Sequence, residues 1–164
     1  MVLKTIHDWA LLLIPSIVCY SASAGCRIGR EAGAEVSFRP PGWLFGVVWG
    51  CLFICLGLSW VFSTKTESNL SDIPPKNNIL IYVIYSLIIL SLMFWIVTYG
   101  CFSKFNLKNA KKGAVWLFIP IIMFCIMGLS LGNKISRLLL SPLLAWVIFA
   151  MFLSTFEYQL TYGN

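Results

Sequence analysis

The sequence predicts an all-α integral membrane protein built as a bundle of five transmembrane helices. Hydrophobic residues make up 59% of the 164 residues and charged residues only 11%, whereas roughly a quarter of the residues of a soluble domain are charged. The apolar residues form five runs joined by short polar segments. A helix of about 20 apolar residues crosses a bilayer, and the runs have about that length. A single membrane domain over residues 1–164 follows.

The first helix is the least regular of the five. It contains Pro15 and several serines, and Ala22-Ser23-Ala24 partly fits the cleavage site of a signal peptide. Bulky residues such as Trp9 favour a retained helix over a cleaved one. Pro15 is tolerated where neighbouring helices satisfy the carbonyl that it frees.

The other four helices have clearer limits. The second begins after Pro40-Pro41, and the third is an uninterrupted apolar run. The basic segment 104–112 separates the third helix from the fourth, and Lys134 and Arg137 precede the fifth. The predicted helices cover residues 5–24, 42–63, 79–102, 113–131 and 138–161.

The distribution of basic residues weakly predicts how the protein is oriented in the membrane. An odd number of spans puts the termini on opposite sides, so that Lys and Arg residues divide into two sets. One face carries Lys4, Lys65, Lys76, Lys134 and Arg137, and the other carries Arg27, Arg30, Arg39, Lys104, Lys108, Lys111 and Lys112. The larger second set predicts that its face is cytosolic. The net charge of +6 is interpreted as membrane anchoring, and no nucleic-acid partner is expected because no basic soluble surface is available.

The cysteines and the single histidine predict no metal and no cofactor. Most of the six cysteines lie in or beside apolar runs, and Cys51 and Cys55 are one helical turn apart without a histidine nearby. They are interpreted as buried free thiols rather than as disulfides or metal ligands. His7 precedes the apolar run of the first helix, which starts at about Trp9, and an interfacial position is expected for it. No Ser/His/Asp constellation or phosphate loop is present in the sequence.

The second helix carries an aromatic row beside a glycine row. At 100° per residue, one line along this helix collects five bulky residues within about 40°: Phe45, Trp49, Phe53, Leu56 and Trp60. A separate line holds Gly46, Gly50 and Gly57. Small residues let helices approach and leave bulky neighbours to line a space between them. The alternative is that the aromatic side chains face lipid or fill a core.

The fifth helix repeats this pattern with Trp146, Ala150, Leu153 and Glu157 on one line. Glu157 is the only acid within an apolar run. A charge near a helix end avoids much of the cost of the bilayer centre, so Glu157 is interpreted as interfacial rather than as a proton relay.

Two segments together resemble the translocator protein family, also called tryptophan-rich sensory proteins and formerly peripheral benzodiazepine receptors. They are Pro40-Pro41-Gly42-Trp43-x-Phe45-x-x-x-Trp49-x-x-x-Phe53-x-x-x-Gly57 and Pro142-x-x-x-Trp146-x-x-Phe149-Ala150-x-x-Leu153. The chain departs from the family in having Phe53 where Tyr is usual and Ser154 where Asn is usual. The third helix keeps Trp95 but lacks the family's Gln and Asn.

The resemblance implies a membrane receptor or carrier that binds porphyrins, such as protoporphyrin IX, and other flat apolar ligands, with a sensory or stress-response role. The ligand would lie inside the bundle against Trp43, Phe45, Trp49, Phe53, Trp95, Trp146, Ala150 and Leu153. Arg27, Arg30 and Arg39 on the first loop would form a lid that meets porphyrin propionates.

Two alternative functions stay open. The first is a light- and oxygen-dependent enzyme that degrades protoporphyrin, with Trp49 and Trp146 as the reactive side chains. The second is a sterol or lipid transporter or scaffold, for which Val97-x-Tyr99-x-x-x-x-Lys104 is a loose sterol-recognition pattern. A homodimer is expected through the glycine row or through Gly128 and Gly132. The mitochondrial outer membrane and the bacterial inner membrane are not distinguished.

Overall fold

Five α-helices make up nearly all of the chain that the structure describes. The computed structural model describes residues 5–26, 36–65, 78–101 and 107–162. The helices are α1 (Ile6–Cys26), α2 (Gly42–Thr64), α3 (Asn78–Gly100), α4 (Leu107–Leu131) and α5 (Lys134–Tyr162). Each contains a segment long and apolar enough to cross a membrane. The protein is therefore a multi-pass integral membrane protein, and the predicted five-helix bundle is confirmed.

The helices extend beyond their apolar segments at several ends. α4 begins at Leu107 rather than at residue 113, and α5 begins at Lys134 rather than at residue 138. The side chain of Asn133 caps α5, because its Oδ1 accepts a hydrogen bond of 2.9 Å from the backbone N–H of Ser136. Hydropathy detects only the membrane segment, so these polar first turns were not predicted.

The five helices close into a ring in the order α1, α2, α5, α4, α3, and α2 and α3 also contact each other across it. At one end of the ring, called here the N end, α1, α3 and α5 begin. At the other, called the C end, these three helices finish. α1 is an integral wall of this ring, with Leu11 and Cys19 buried.

Glycines set the closest approaches between helices of the same bundle. A methyl group added to Gly57 would overlap the backbone of Leu12 on α1. One added to Gly50 would lie 2.7 Å from the Tyr20 hydroxyl, also on α1. On α4, Gly128 packs in the same way against Leu140 of α5. These three glycines set approaches between helices of one bundle, and the homodimer stays a prediction.

A disulfide joins Cys26 at the end of α1 to Cys101 just after α3, across 75 residues of sequence. The interpretation of the cysteines as free thiols is therefore wrong for this pair. The two residues meet because α1 and α3 are ring neighbours that finish at the same end, which neither hydropathy nor spacing reveals. Among the described residues, the free cysteines are Cys19, Cys51, Cys55 and Cys125.

The N end of the bundle is held together by buried polar contacts. The hydroxyls of Ser59, Ser63, Tyr85 and Ser136 form one cluster between α2, α3 and α5, with O···O distances of 2.5–3.0 Å. The Trp60 indole stacks on the Tyr85 ring at a centroid distance of 5.7 Å. This cluster satisfies polar groups that would be costly in an apolar interior, and it closes the ring at this end.

Two further contacts at the N end attach α1 to its neighbours. The Lys65 ammonium donates to the Asp8 carboxylate at 2.8 Å and links α2 to α1. The exposed His7 ring lies 2.9 Å from the Tyr82 hydroxyl of α3. Both ends of α1 are thus attached, by polar contacts at the N end and by the disulfide at the C end.

Candidate ligand-binding site

A cavity of about 780 Å³ occupies the C-end half of the bundle. Its walls come from α1, α2, α3 and α5, and the segment before α2 lies at its mouth. Its exposed lining residues, Tyr20, Gly42, Trp43 and Gly46, lie on α1 and on the first turns of α2. The full lining is Cys19, Tyr20, Ser23, Arg39, Pro40, Gly42, Trp43, Phe45, Gly46, Trp49, Phe53, Leu92, Trp95, Ile96, Tyr99, Ala150, Leu153, Ser154 and Glu157.

The aromatic row of α2 faces inward and changes its role along the helix. Phe45, Trp49 and Phe53 line the cavity, whereas Leu56 and Trp60, farther toward the N end, are buried in the core. The first half of the row therefore lines a cavity, and the second half is part of the packed core. It does not face lipid.

Trp49 is the centre of the aromatic wall. Its ring lies 5.5 Å from that of Phe53 and 5.9 Å from that of Trp95, within the range of favourable aromatic contacts. Trp146 meets Trp49 edge-on at 6.5 Å and Phe45 at 5.7 Å. Trp49, Trp95 and Trp146, from α2, α3 and α5, thus form one connected group of indoles.

Trp146 lies behind this wall and is not among the lining residues. The residues of α5 that reach the cavity are Ala150 and Leu153, together with Ser154 and Glu157. Trp146 is one turn closer to the N end than Ala150, and its ring packs against Phe45 and Trp49. Trp49 and Trp146 are therefore in contact with each other, and Trp146, which was predicted to lie against the ligand, does not line the cavity.

A buried ion pair closes the polar side of the cavity. The Arg39 guanidinium donates to the Glu157 carboxylate at 2.5 Å, and the Tyr99 hydroxyl donates to the other carboxylate oxygen at 3.4 Å. Arg39 also lies over the Phe45 ring, 5.4 Å from its centroid, in the range of a cation–π contact. Glu157 is only 3% exposed. Glu157 lies near the end of α5, where an interfacial position was expected, but its counter-charge comes from Arg39 inside the protein.

The remaining predicted residues are distributed as follows. Trp43 lines the mouth but is 70% exposed, so it lies at the edge of the cavity rather than within it. Arg39 is at the mouth, as a lid residue would be. Arg27 and Arg30 lie outside the described residues.

Sequence reasoning missed the contributions of α1 and most of those of α3. Tyr99 could have been found, because it follows Trp95 by one helical turn and stacks on it at 5.4 Å. Cys19, Tyr20 and Ser23 gave no signal, since nothing in the sequence indicates which side of α1 faces the bundle.

Comparison with known proteins identifies the fold family. The model of the TspO/MBR family matches residues 9–159, which reach into all five helices. The chain belongs to the TspO/MBR family. It is similar to the tryptophan-rich protein TspO of Chlorobaculum tepidum, with 30% identity over 125 residues that cover 72% of this chain and 70% of the relative. The family predicted from the two tryptophan-bearing segments is confirmed, and membership supports a membrane protein with a binding or sensory role.

Proposed function

We propose that this protein is a membrane receptor or carrier that binds flat, largely apolar ligands in the C-end cavity, and that tetrapyrroles such as protoporphyrin IX are among them. The single observation that carries the proposal is the indole wall around Trp49 in a cavity of about 780 Å³. Ligand pockets typically measure roughly 300–1,000 Å³ and combine apolar walls with a few polar groups. Flat aromatic faces suit a macrocycle, because offset ring contacts add to the free energy of burial.

The closed N end favours a receptor or a one-sided carrier over a channel. Beneath the cavity the ring is filled by fully buried side chains, among them Leu56, Ile88 and Val147, and beyond them by the hydroxyl cluster. A ligand in the cavity would therefore come and leave on the C-end side. Passage through the bundle would require this packing to open.

The test is a titration of the protein with protoporphyrin IX in lipid nanodiscs, followed by tryptophan fluorescence and by porphyrin absorbance. Trp49→Phe should weaken binding by about 0.5–1.5 kcal/mol, the size of an aromatic-pair contribution, or roughly 2- to 13-fold in Kd. Trp116→Phe is the matched control, because Trp116 is 63% exposed on α4 and does not line the cavity. The proposal fails if the wild type shows no saturable binding, or if both variants keep wild-type affinity.

The indole group also favours a second candidate function, the light- and oxygen-dependent degradation of protoporphyrin. Trp49 and Trp95 line the cavity, and Trp146 contacts Trp49. Under illumination in air, this activity would yield porphyrin products separable by chromatography. Trp49→Phe should slow product formation far more than it weakens binding, because a phenyl ring is a poorer electron donor than indole. Sterol binding that protoporphyrin does not displace would instead favour the lipid-transport alternative.

A further inference from the structure

We propose that the disulfide between Cys26 and Cys101 is a redox modification site that controls the α1 wall of the cavity. A dithiol reductant opens the bond, and the C-end half of α1 then moves away from α3. Oxidation closes the bond again and returns the wall to its place. The effect on ligand affinity rests on the proposed function, whereas the release of α1 does not depend on any ligand.

The disulfide lies beside the cavity and joins two of its walls. Cys26 is the last residue of α1, and Cys101 directly follows the last residue of α3. Ser23 of α1 and Tyr99 of α3 both line the cavity, and each lies within one helical turn of the cysteine on its own side. The bond therefore fixes the distance between the α1 and α3 walls at the C end.

Pro15 divides α1 into an N-end half and a C-end half. The N-end half is firmly held, because Leu12 lies against the backbone at Gly57 and Asp8 accepts a hydrogen bond from Lys65. Pro15 itself has no backbone N–H to donate to the carbonyl one turn earlier, so the helix bends more readily there than elsewhere. Pro15 is thus placed to act as a hinge between a fixed half and a movable half.

The C-end half of α1 is packed less firmly. Cys19, Tyr20 and Ser23 line the cavity, so this half borders a space where a packed helix would meet side chains. Tyr20 contacts α2 through the Phe53 ring at 5.6 Å. Of the five described membrane segments, that of α1 has the smallest buried share. The disulfide therefore provides much of the attachment of this half to α3.

The exposure of the two cysteines sets the order of the exchange. Cys26 is only 3% exposed and Cys101 is half-buried, so a thiolate of the reductant attacks the Sγ of Cys101. The S–S bond breaks, and Cys26 leaves as a thiolate that takes up a proton. The second thiol of the reductant attacks the mixed disulfide and releases Cys101 as a thiol. The reductant becomes a disulfide, and two electrons and two protons have passed to the protein.

The location of the pair favours a regulatory bond over a permanent one. The C end carries the larger set of basic residues, which predicts that it faces the cytosol. Cytosolic thiols are kept reduced, and the disulfides that form there are usually transient and catalytic or redox-sensing. On this face the pair would change its state with the redox conditions of the cell.

The experiment measures how fast N-ethylmaleimide alkylates Cys19 in nanodiscs, with peptide mass spectrometry to follow each cysteine separately. Cys19 on α1 and Cys125 on α4 are both 0% exposed, so Cys125 is the matched internal control. The oxidised wild type is compared with the wild type reduced by dithiothreitol, which is removed before labelling, and with the double variant Cys26→Ser, Cys101→Ser.

Both open forms should alkylate Cys19 at least about tenfold faster than the oxidised wild type, because labelling of a buried thiol follows local opening. Cys125 should react at the same rate in all forms. Oxidised glutathione should return the reduced wild type to the slow rate, and dithiothreitol should have no effect on the double variant. In a parallel titration, both open forms should bind protoporphyrin IX at least about threefold more weakly, since α1 must be ordered again on binding.

The outcomes separate this inference from the proposed function. The inference is overturned if dithiothreitol does not open the bond in the folded wild type, if Cys19 reacts equally fast in the oxidised and open forms, or if Cys19 and Cys125 accelerate together. If the wild type binds no porphyrin, the proposed function fails, and the Cys19 rates still decide whether the disulfide controls α1. Faster Cys19 alkylation with unchanged porphyrin affinity would overturn the control of ligand binding.

Discussion

Gly57→Ala should destabilise the bundle by displacing α1 from α2. The added methyl would overlap the Leu12 carbonyl and lie 2.8 Å from the Leu12 Cα, whereas ordinary contacts of this kind are at about 3.5–4.0 Å. The obstacle is backbone, so one helix must move by roughly the difference, on the order of 1 Å. Overpacking of this kind costs about 1–3 kcal/mol. α1 is also a wall of the cavity, through Tyr20 and its neighbours, so porphyrin binding should weaken as well.

The assay is reversible unfolding in mixed detergent and SDS micelles, followed by circular dichroism. Gly46→Ala is the matched control on the same helix, because nothing lies within 4 Å of the methyl that it adds. We expect Gly57→Ala to be less stable than Gly46→Ala by at least about 1 kcal/mol. Equal stability of the two variants would refute the reasoning that Gly57 fixes the approach of α1.

Three further predictions concern the N end, the disulfide and the topology. Ser136→Ala removes one member of the buried hydroxyl cluster and should cost about 1–3 kcal/mol in the same unfolding assay, while Ser141→Ala, at an exposed site on α5, should change stability little. Reducing the disulfide between Cys26 and Cys101 should lower the free energy of unfolding. The loss should be smaller than the ~4.5 kcal/mol that loop closure gives for a soluble chain of this separation, because the helices stay inserted in the membrane. Identical stability with and without reductant would contradict this. Single reporter cysteines at residues 108 and 163, in a chain without its native cysteines, should be labelled from the same face of the membrane, and labelling from opposite faces would contradict five spans. The charge bias predicts that this face is cytosolic. A disulfide between Cys26 and Cys101 detected in freshly alkylated cells would instead place this face in an oxidising compartment.

The fold followed from the sequence because its governing physics is local. Runs of about 20 apolar residues must become helices in a bilayer, where backbone groups have no other partners. The common direction of the α2 row also followed from helical geometry, since Trp49 and Phe53 share one line with Trp60, whereas its inward direction was one of the alternatives left open. Only the polar first turns of α4 and α5 were missed, because a membrane-based criterion does not apply outside the membrane.

The site followed only where one helix carried it. The aromatic side chains of α2, together with Ala150 and Leu153 of α5, were predicted, but their arrangement depends on the ring order of the helices. That order pairs Cys26 with Cys101 and Arg39 with Glu157, residues separated by 75 and 118 positions. Spacing along one helix carries no information about such pairs, which is why the disulfide was missed and the partner of Glu157 was not predicted.

The central claim, that a flat ligand occupies the cavity beside Trp49, is tested most directly by filling the cavity. Ala150 is 5% exposed and lines the cavity on α5, whereas Ala145 is exposed on the same helix. Ala150→Phe and Ala145→Phe add the same side chain, one inside and one outside the bundle. In a protoporphyrin IX titration in nanodiscs, with helix content verified by circular dichroism, Ala150→Phe should raise the Kd at least about tenfold, equivalent to ~1.4 kcal/mol, and Ala145→Phe should leave it unchanged. Equal affinity in the two variants would contradict the account, because the porphyrin would then bind elsewhere.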